Sequence, residues 1–245
     1  MSYIGRVAGV GATQDGNPVL LYGLSGRSPS SRSRIAVIHG NRVSIEPYGE
    51  MTPEQKAEAS RLIYDAIMTR ANNKIGVVSN GNQTSSVLRA YLRRHDANKT
   101  AINAMSGALR YWGHEGRVGD RYNTPRIAGM VVVTGNDATL GIVTAENETS
   151  PSLATGFYIT RGTAGYLSTY TGDGEEPQAP KFNYILDAVR EFKIEGKTAQ
   201  ELAEEMYDFM DPEFVVSTAA ALWVPSQGRW KLAVKNKLEN FIRVN

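Results

Sequence analysis

The chain has 245 residues, 41% hydrophobic and 21% charged, with Lys+Arg 27 against Asp+Glu 25 and no cysteine. This is the composition of a globular chain, and it excludes disulfides, thiolate metal sites and a cysteine nucleophile. A net charge of +2 gives no reason to expect nucleic acid as a partner, and no apolar stretch approaches the ~20 residues of a membrane span, so a soluble, cytoplasmic protein without a membrane partner is expected.

Tyr3 to Ala12 and Pro18 to Gly23, joined by Gln14-Asp15-Gly16-Asn17, read as a hairpin. Arg34 to His39 and Arg42 to Ile45 repeat the pattern around Gly40-Asn41. Thr52-Pro53-Glu54-Gln55 is a helix start, and Ala57, Leu62, Ile63, Ala66 and Ile67 continue one apolar face, which predicts a helix carrying Tyr64. Lys74 to Ser79 is a short strand running into the turn Asn80-Gly81-Asn82, and Thr84 to Arg94 and Thr100 to Trp112 are helical by spacing. Beyond the glycine-rich Gly113 to Tyr122, Arg126 to Val133 and Ala138 to Thr144 form the clearest hairpin. Phe157 to Tyr170 is β-like, Thr171 to Pro180 is a loop, and Lys181 to Phe192 and Thr198 to Phe209 have helical spacing. Phe214 to Val224 and Arg229 to Val234 close the chain as a hairpin. Repeated hairpins with helices between them predict antiparallel sheets in a layered sandwich of α and β elements, within a single domain over residues 1–245.

Three arginines and five serines fall between Ser25 and Arg34, and guanidinium forks with hydroxyls are the groups that hold a phosphate. A solvated basic loop is the alternative. Arg121-Tyr122-Asn123-Thr124-Pro125-Arg126 precedes a strand, and Pro125 biases Thr124 toward extended backbone. Ser79-Asn80-Gly81-Asn82 gathers polar groups at the end of another strand. Of the histidines, His39 reads as structural and His95 as solvated, whereas His114 stands beside Glu115 near the Asn-Thr-Pro-Arg segment. No histidine spacing suits a metal. Ser2, exposed if Met1 were removed, could serve as an N-terminal nucleophile of an amidohydrolase.

These segments together resemble the archaeal-type inosine monophosphate (IMP) cyclohydrolase family, known from archaea and bacteria. The resemblance is carried by Tyr3-Ile4-Gly5-Arg6, by Ser25-Gly26-Arg27-Ser28 with Arg32, and by Val77 to Gly81. Asn123 to Ala128, Gly141 to Ala145, Tyr158 to Tyr170, Thr218 to Leu222 and Trp230 to Ala233 extend it over nearly the whole chain. It implies an α+β fold, a four-layer αββα sandwich of the N-terminal-nucleophile-hydrolase type used without such a nucleophile. The implied enzyme is a cyclohydrolase, of the class acting on C–N bonds of amidines. It closes 5-formamidoimidazole-4-carboxamide ribotide to IMP, with no cofactor and no metal, and the partner is this small purine ribotide. Homo-oligomerisation stays open, and the alternatives are the Ser2 amidohydrolase and a non-catalytic purine-nucleotide-binding protein. By position, the resemblance implies Arg32, Tyr64 and Glu115 as catalytic residues. It implies Arg27, Ser28, Ser79, Asn80, Asn123, Thr124 and Arg126 as substrate-binding residues. Arg27 and Arg32 would meet the phosphate or the formyl oxygen, and Arg34, at the start of a strand, reads as structural.

Overall fold

The computed structural model describes residues 3–50, 53, 63–93, 101–115, 123–135, 137–145, 152–172, 174–181 and 184–238. Ser2, His95, Arg121, Tyr122 and, from the helix expected to start at Thr52 and carry Tyr64, nearly all of residues 52–63 lie outside these residues.

Thirteen strands form two sheets among the described residues. One has six strands, in the order β11 (Arg190–Lys193), β10 (Thr163–Ser168), β1 (Arg6–Ala12), β2 (Pro18–Ser25), β12 (Val215–Val224) and β13 (Arg229–Asn236). The other has seven, in chain order: β3 (Arg34–His39), β4 (Arg42–Pro47), β5 (Tyr64–Arg70), β6 (Ile75–Ser79), β7 (Arg126–Val132), β8 (Asp137–Val143) and β9 (Ser152–Tyr158). Every neighbouring pair is antiparallel. The α-helices bounded within the described residues are α1 (Pro29–Arg32), α2 (Gln83–Leu92), α3 (Ala101–Trp112), α4 (Ile185–Ala188) and α5 (Ala199–Phe209).

Strand alternation sorts the side chains into three apolar layers. Leu20, Tyr22 and Leu24 of β2 point between the sheets, where they meet Val78, Ile127, Leu140 and Trp223. Val19 and Leu21 point the other way, under Leu202, Ala203 and Met206 of α5. Ile75 and Val77 of β6 pack beneath Val87 and Leu88 of α2 and Met105 and Leu109 of α3. The layers therefore run helix, sheet, sheet, helix, as the antiparallel sandwich reading expects.

Two expected helices are corrected. Tyr64, Ala66 and Ile67 lie on strand β5. Ser44 pairs with Asp65 and Val43 with Ile67, so Ala66 is an extra, bulged residue. The bulge lets Ala66 and Ile67 both enter the inter-sheet core, and two consecutive inward residues imitate a helical stripe. Among the described residues between Lys181 and Phe192 only α4 is helical, and β11 then pairs with β10. Phe192 is buried with the α5 core, so edge pairing overrides a weak helical spacing.

Candidate active site

The registers bring the polar ends of several strands to one rim of the sandwich. β1, β3, β5 and β7 begin there with Arg6, Arg34, Tyr64 and Arg126, while β2 and β6 end there with Ser25 and Ser79.

Glu115 reaches this rim by way of the end of α3. Gly113 adopts φ +62° and its N–H returns to the Leu109 carbonyl at 2.9 Å, which ends the helix. The Glu115 N–H then donates to the Thr124 carbonyl at 2.8 Å, fixing the carboxylate beside the first residue of β1. Arg6 clasps it with both terminal nitrogens, Nη2 to Oε2 at 2.7 Å and Nη1 to Oε1 at 3.2 Å. Nη1 of Arg6 also donates to the Asn80 carbonyl at 3.3 Å. From the other side, Arg126 Nη1 lies 3.4 Å from Glu115 Oε1 and donates to Gln83 Oε1 at 3.0 Å, with the guanidinium 5.3 Å from the centre of the Trp112 ring. Side-chain exposure of Arg6 and Glu115 is 12% and 9%, so this bidentate pair is shielded from most of the screening that weakens surface ion pairs.

A second feature lies deeper between the sheets. The hydroxyls of Tyr22 and Tyr64, one from each sheet, are 2.6 Å apart, and both side chains are buried. Burial, reinforced by the neighbouring Tyr64, pushes the Tyr22 hydroxyl well above the ordinary tyrosine range, so Tyr22 keeps its proton. Burial opposes the charge of Arg6, but Glu115 foremost, then Tyr64 and Tyr22, raise its pKa above the usual arginine value. Arg6 thereby couples the carboxylate to the hydroxyl pair.

A third group is aromatic. Tyr3 stacks on Tyr170 at 5.7 Å between centroids and meets the edge of Phe214 at 5.2 Å. Arg27 lies 5.1 Å from the centre of the Tyr3 ring and donates to the Gly174 carbonyl at 2.9 Å. Arg32 lies 5.9 Å from the Phe214 ring and donates through Nε to the Gly26 carbonyl at 3.1 Å. The Tyr170 hydroxyl bonds Thr124 Oγ1. Burial raises the Tyr170 pKa, opposed by that hydrogen bond and by the charge of Arg6.

Of the expected site residues, Glu115 and Arg126 are in contact, and Thr124 joins them through its carbonyl. Tyr64 comes to the same rim from a strand. Asn80 is enclosed, donating to the Pro125 carbonyl at 2.8 Å and accepting from the Ile127 N–H at 2.9 Å and Gln83 at 2.8 Å. It thus ties the 80–83 turn to β7. Ser79 is equally enclosed and bonds Thr84 and the Gly81 carbonyl. Asn123 is exposed at φ +41°. Ser28 is exposed and caps α1, accepting from the Ser31 N–H at 3.2 Å. His39, expected to be structural, is exposed at the end of β3, with Nε2 2.7 Å from Glu46.

Residue-level reading of the sequence missed Arg6, Tyr22 and Tyr170. Arg6 carried a signal, since it is the one charged residue in the sequence of β1. Tyr22 carried none, because an aromatic residue at an inward strand position reads as core. Arg34, expected to be structural, is 5% exposed and donates Nε to the Ser31 carbonyl at 3.0 Å. Among the described residues no acid pairs with it.

A family model described as IMP cyclohydrolase-like protein matches residues 3–226. An IMP cyclohydrolase of Methanococcus maripaludis (strain C7) is 29% identical over 223 residues, 90% of this chain and 94% of its own length. Proteins of the same name from Methanocaldococcus jannaschii and Thermococcus kodakarensis are 26% and 27% identical. They align with 96% and 95% of this chain and with 100% and 98% of their own lengths.

Proposed function

The chain belongs to the IMP cyclohydrolase-like family, and from that premise we propose that it closes 5-formamidoimidazole-4-carboxamide ribotide to IMP with loss of water, as in the last step of de novo purine biosynthesis. The observation that ties this reading to the geometry is the Arg6–Glu115–Arg126 cluster beside the Tyr22–Tyr64 pair.

The reaction joins a poor nucleophile, the carboxamide nitrogen, to a poor electrophile, the formyl carbon. As the N–C bond forms, the carbonyl π pair moves onto the formyl oxygen and the nitrogen sheds a proton. The resulting carbinol then loses its C–O bond. The former formamide nitrogen releases its proton as the ring C=N forms, and the departing oxygen leaves as water. Intramolecularity supplies the proximity, which leaves orientation, a donor for the oxygen and a base for the N–H. Tyr64 serves as the donor. Glu115 takes the proton from nitrogen, because Oε2 accepts from Arg6 alone among the described residues and retains a lone pair.

Arg27 and Arg32, with Ser28, take the ribotide phosphate at the outer rim. Asn123, Thr124 and Arg126 anchor the remainder, and Ser79 and Asn80 hold the turn that shapes the floor. No cofactor takes part. The order helix, sheet, sheet, helix supports a fold of the N-terminal-nucleophile-hydrolase type used without the nucleophile, in what we take to be a single cytoplasmic domain.

The test mixes purified protein with the formylated ribotide and follows ultraviolet absorbance for IMP. Formation no faster than the spontaneous rate removes the reading. Ser2→Ala should leave the rate unchanged, and abolition would point instead to an amidohydrolase with an N-terminal nucleophile.

A further inference from the structure

Three guanidinium groups belong to the polar rim between the sheets, and they are not equivalent. Arg6 and Arg126 share the Glu115 carboxylate. Arg34 is more enclosed than either, at 5% exposure, and its one hydrogen bond among the described residues is from Nε to the Ser31 carbonyl. An enclosed cation with no acid beside it among the described residues is costly, and an arriving anion offsets that cost. We propose that Arg34, which has no acid partner among the described residues, is placed to meet the negative charge that forms on the reacting formyl oxygen beside Tyr22 and Tyr64. This rests on the cyclohydrolase reading.

The placement follows from the strand. Arg34 shares a face of β3 with Ala36, which packs in the inter-sheet core with Tyr22 and Tyr64. Asn236 of β13 fixes that stretch to the opposite sheet, accepting from the Ala36 N–H at 2.8 Å and donating to the Ala36 carbonyl at 3.0 Å. The charge of Arg34 acts on the Tyr22 hydroxyl in the direction that favours an anionic oxygen there. Arg27 and Arg32 are more exposed and suit a phosphate dianion that keeps part of its hydration. Arg34 suits a charge that exists only during reaction. When the carboxamide nitrogen bonds to the formyl carbon, the carbonyl pair moves to oxygen and Tyr64 gives that oxygen its proton. Both the oxyanion and the tyrosinate left behind gain from a guanidinium held in place beforehand.

The experiment compares wild type with Arg34→Gln and Arg34→Lys on the formylated ribotide and on the same compound without its phosphate, with circular dichroism to confirm folding. For Arg34→Gln, kcat should fall about 100-fold with KM within about threefold. The factor should be the same on both substrates, and Arg34→Lys should recover part of it. A raised KM with unchanged kcat, or a loss confined to the phosphorylated substrate, makes Arg34 a phosphate ligand and overturns the proposal. So does undiminished activity. If Arg34→Gln does not fold, added guanidinium ion must restore turnover to a folded Arg34→Ala protein, and no restoration overturns the proposal. A wild type that forms no IMP removes the cyclohydrolase reading itself, a result distinct from an active wild type with an indifferent Arg34.

Discussion

A methyl group at Gly81 would lie 2.7 Å from both Arg126 Nη1 and Gln83 Oε1, and 3.1 Å from Glu115 Oε1. Those atoms are the ends of side chains that can swing aside, so Gly81→Ala should fold with its melting temperature lowered by only a few degrees. The same swing displaces the ion cluster, and misplacement by about 1 Å costs on the order of 100-fold in rate. Kinetics beside thermal unfolding will show whether activity and stability separate in this way. Glu115→Ala should instead unfold the site, since it strands Arg6 as a buried cation, at a cost of about 3 kcal/mol in denaturant titrations. Tyr22 gives a pH dependence whose sign is fixed. Its folded pKa is raised, so above about pH 10 the unfolded chain loses a proton that the folded chain keeps, and stability falls as pH rises further. Tyr22→Phe should flatten that alkaline decline in unfolding free energy.

Elements were legible in the sequence where one period ran unbroken to a turn. The hairpins around Gly40-Asn41 and Pro225 to Gly228, and the strand Ile75–Ser79, stand where alternation and turn residues put them. β5 was not legible, because a bulge at Ala66 breaks the period of two and produces adjacent inward residues. β11 failed for a different reason: four residues on a sheet edge owe their conformation to β10, not to their own pattern. For the site, family order pointed to Glu115 and Arg126, which the structure brings into contact. The partner Arg6 stands 109 positions from Glu115, and no local pattern encodes such a contact. An element remote from the site provides a control. Thr198 caps α5, accepting from the Glu201 N–H at 3.2 Å, and Thr198→Ala should cost about 1 kcal/mol of stability. Because α5 packs on the outer face of the six-stranded sheet, kcat should not change.

At the scale of the molecule, the proposed site draws on both sheets. Arg6 and Tyr22 come from the six-stranded sheet, whereas Arg34, Tyr64 and Arg126 come from the seven-stranded one. Asn236 is a direct polar tie between the two, and it is fully enclosed. Asn236→Ala should leave the backbone groups of Ala36 without that partner, lower stability by about 2 kcal/mol and loosen the strand that begins with Arg34, so that thermal unfolding and kcat fall together. The divided site also makes activity a clock for the order of folding. Either sheet could form its hairpins alone and show full β-structure by far-ultraviolet dichroism, yet the proposed site is not assembled until the two faces meet. Trp223 and Trp230 lie in the layer that this meeting buries, with ring centroids 5.6 Å apart. During refolding, enzyme activity should therefore return with the tryptophan fluorescence and lag behind the dichroism.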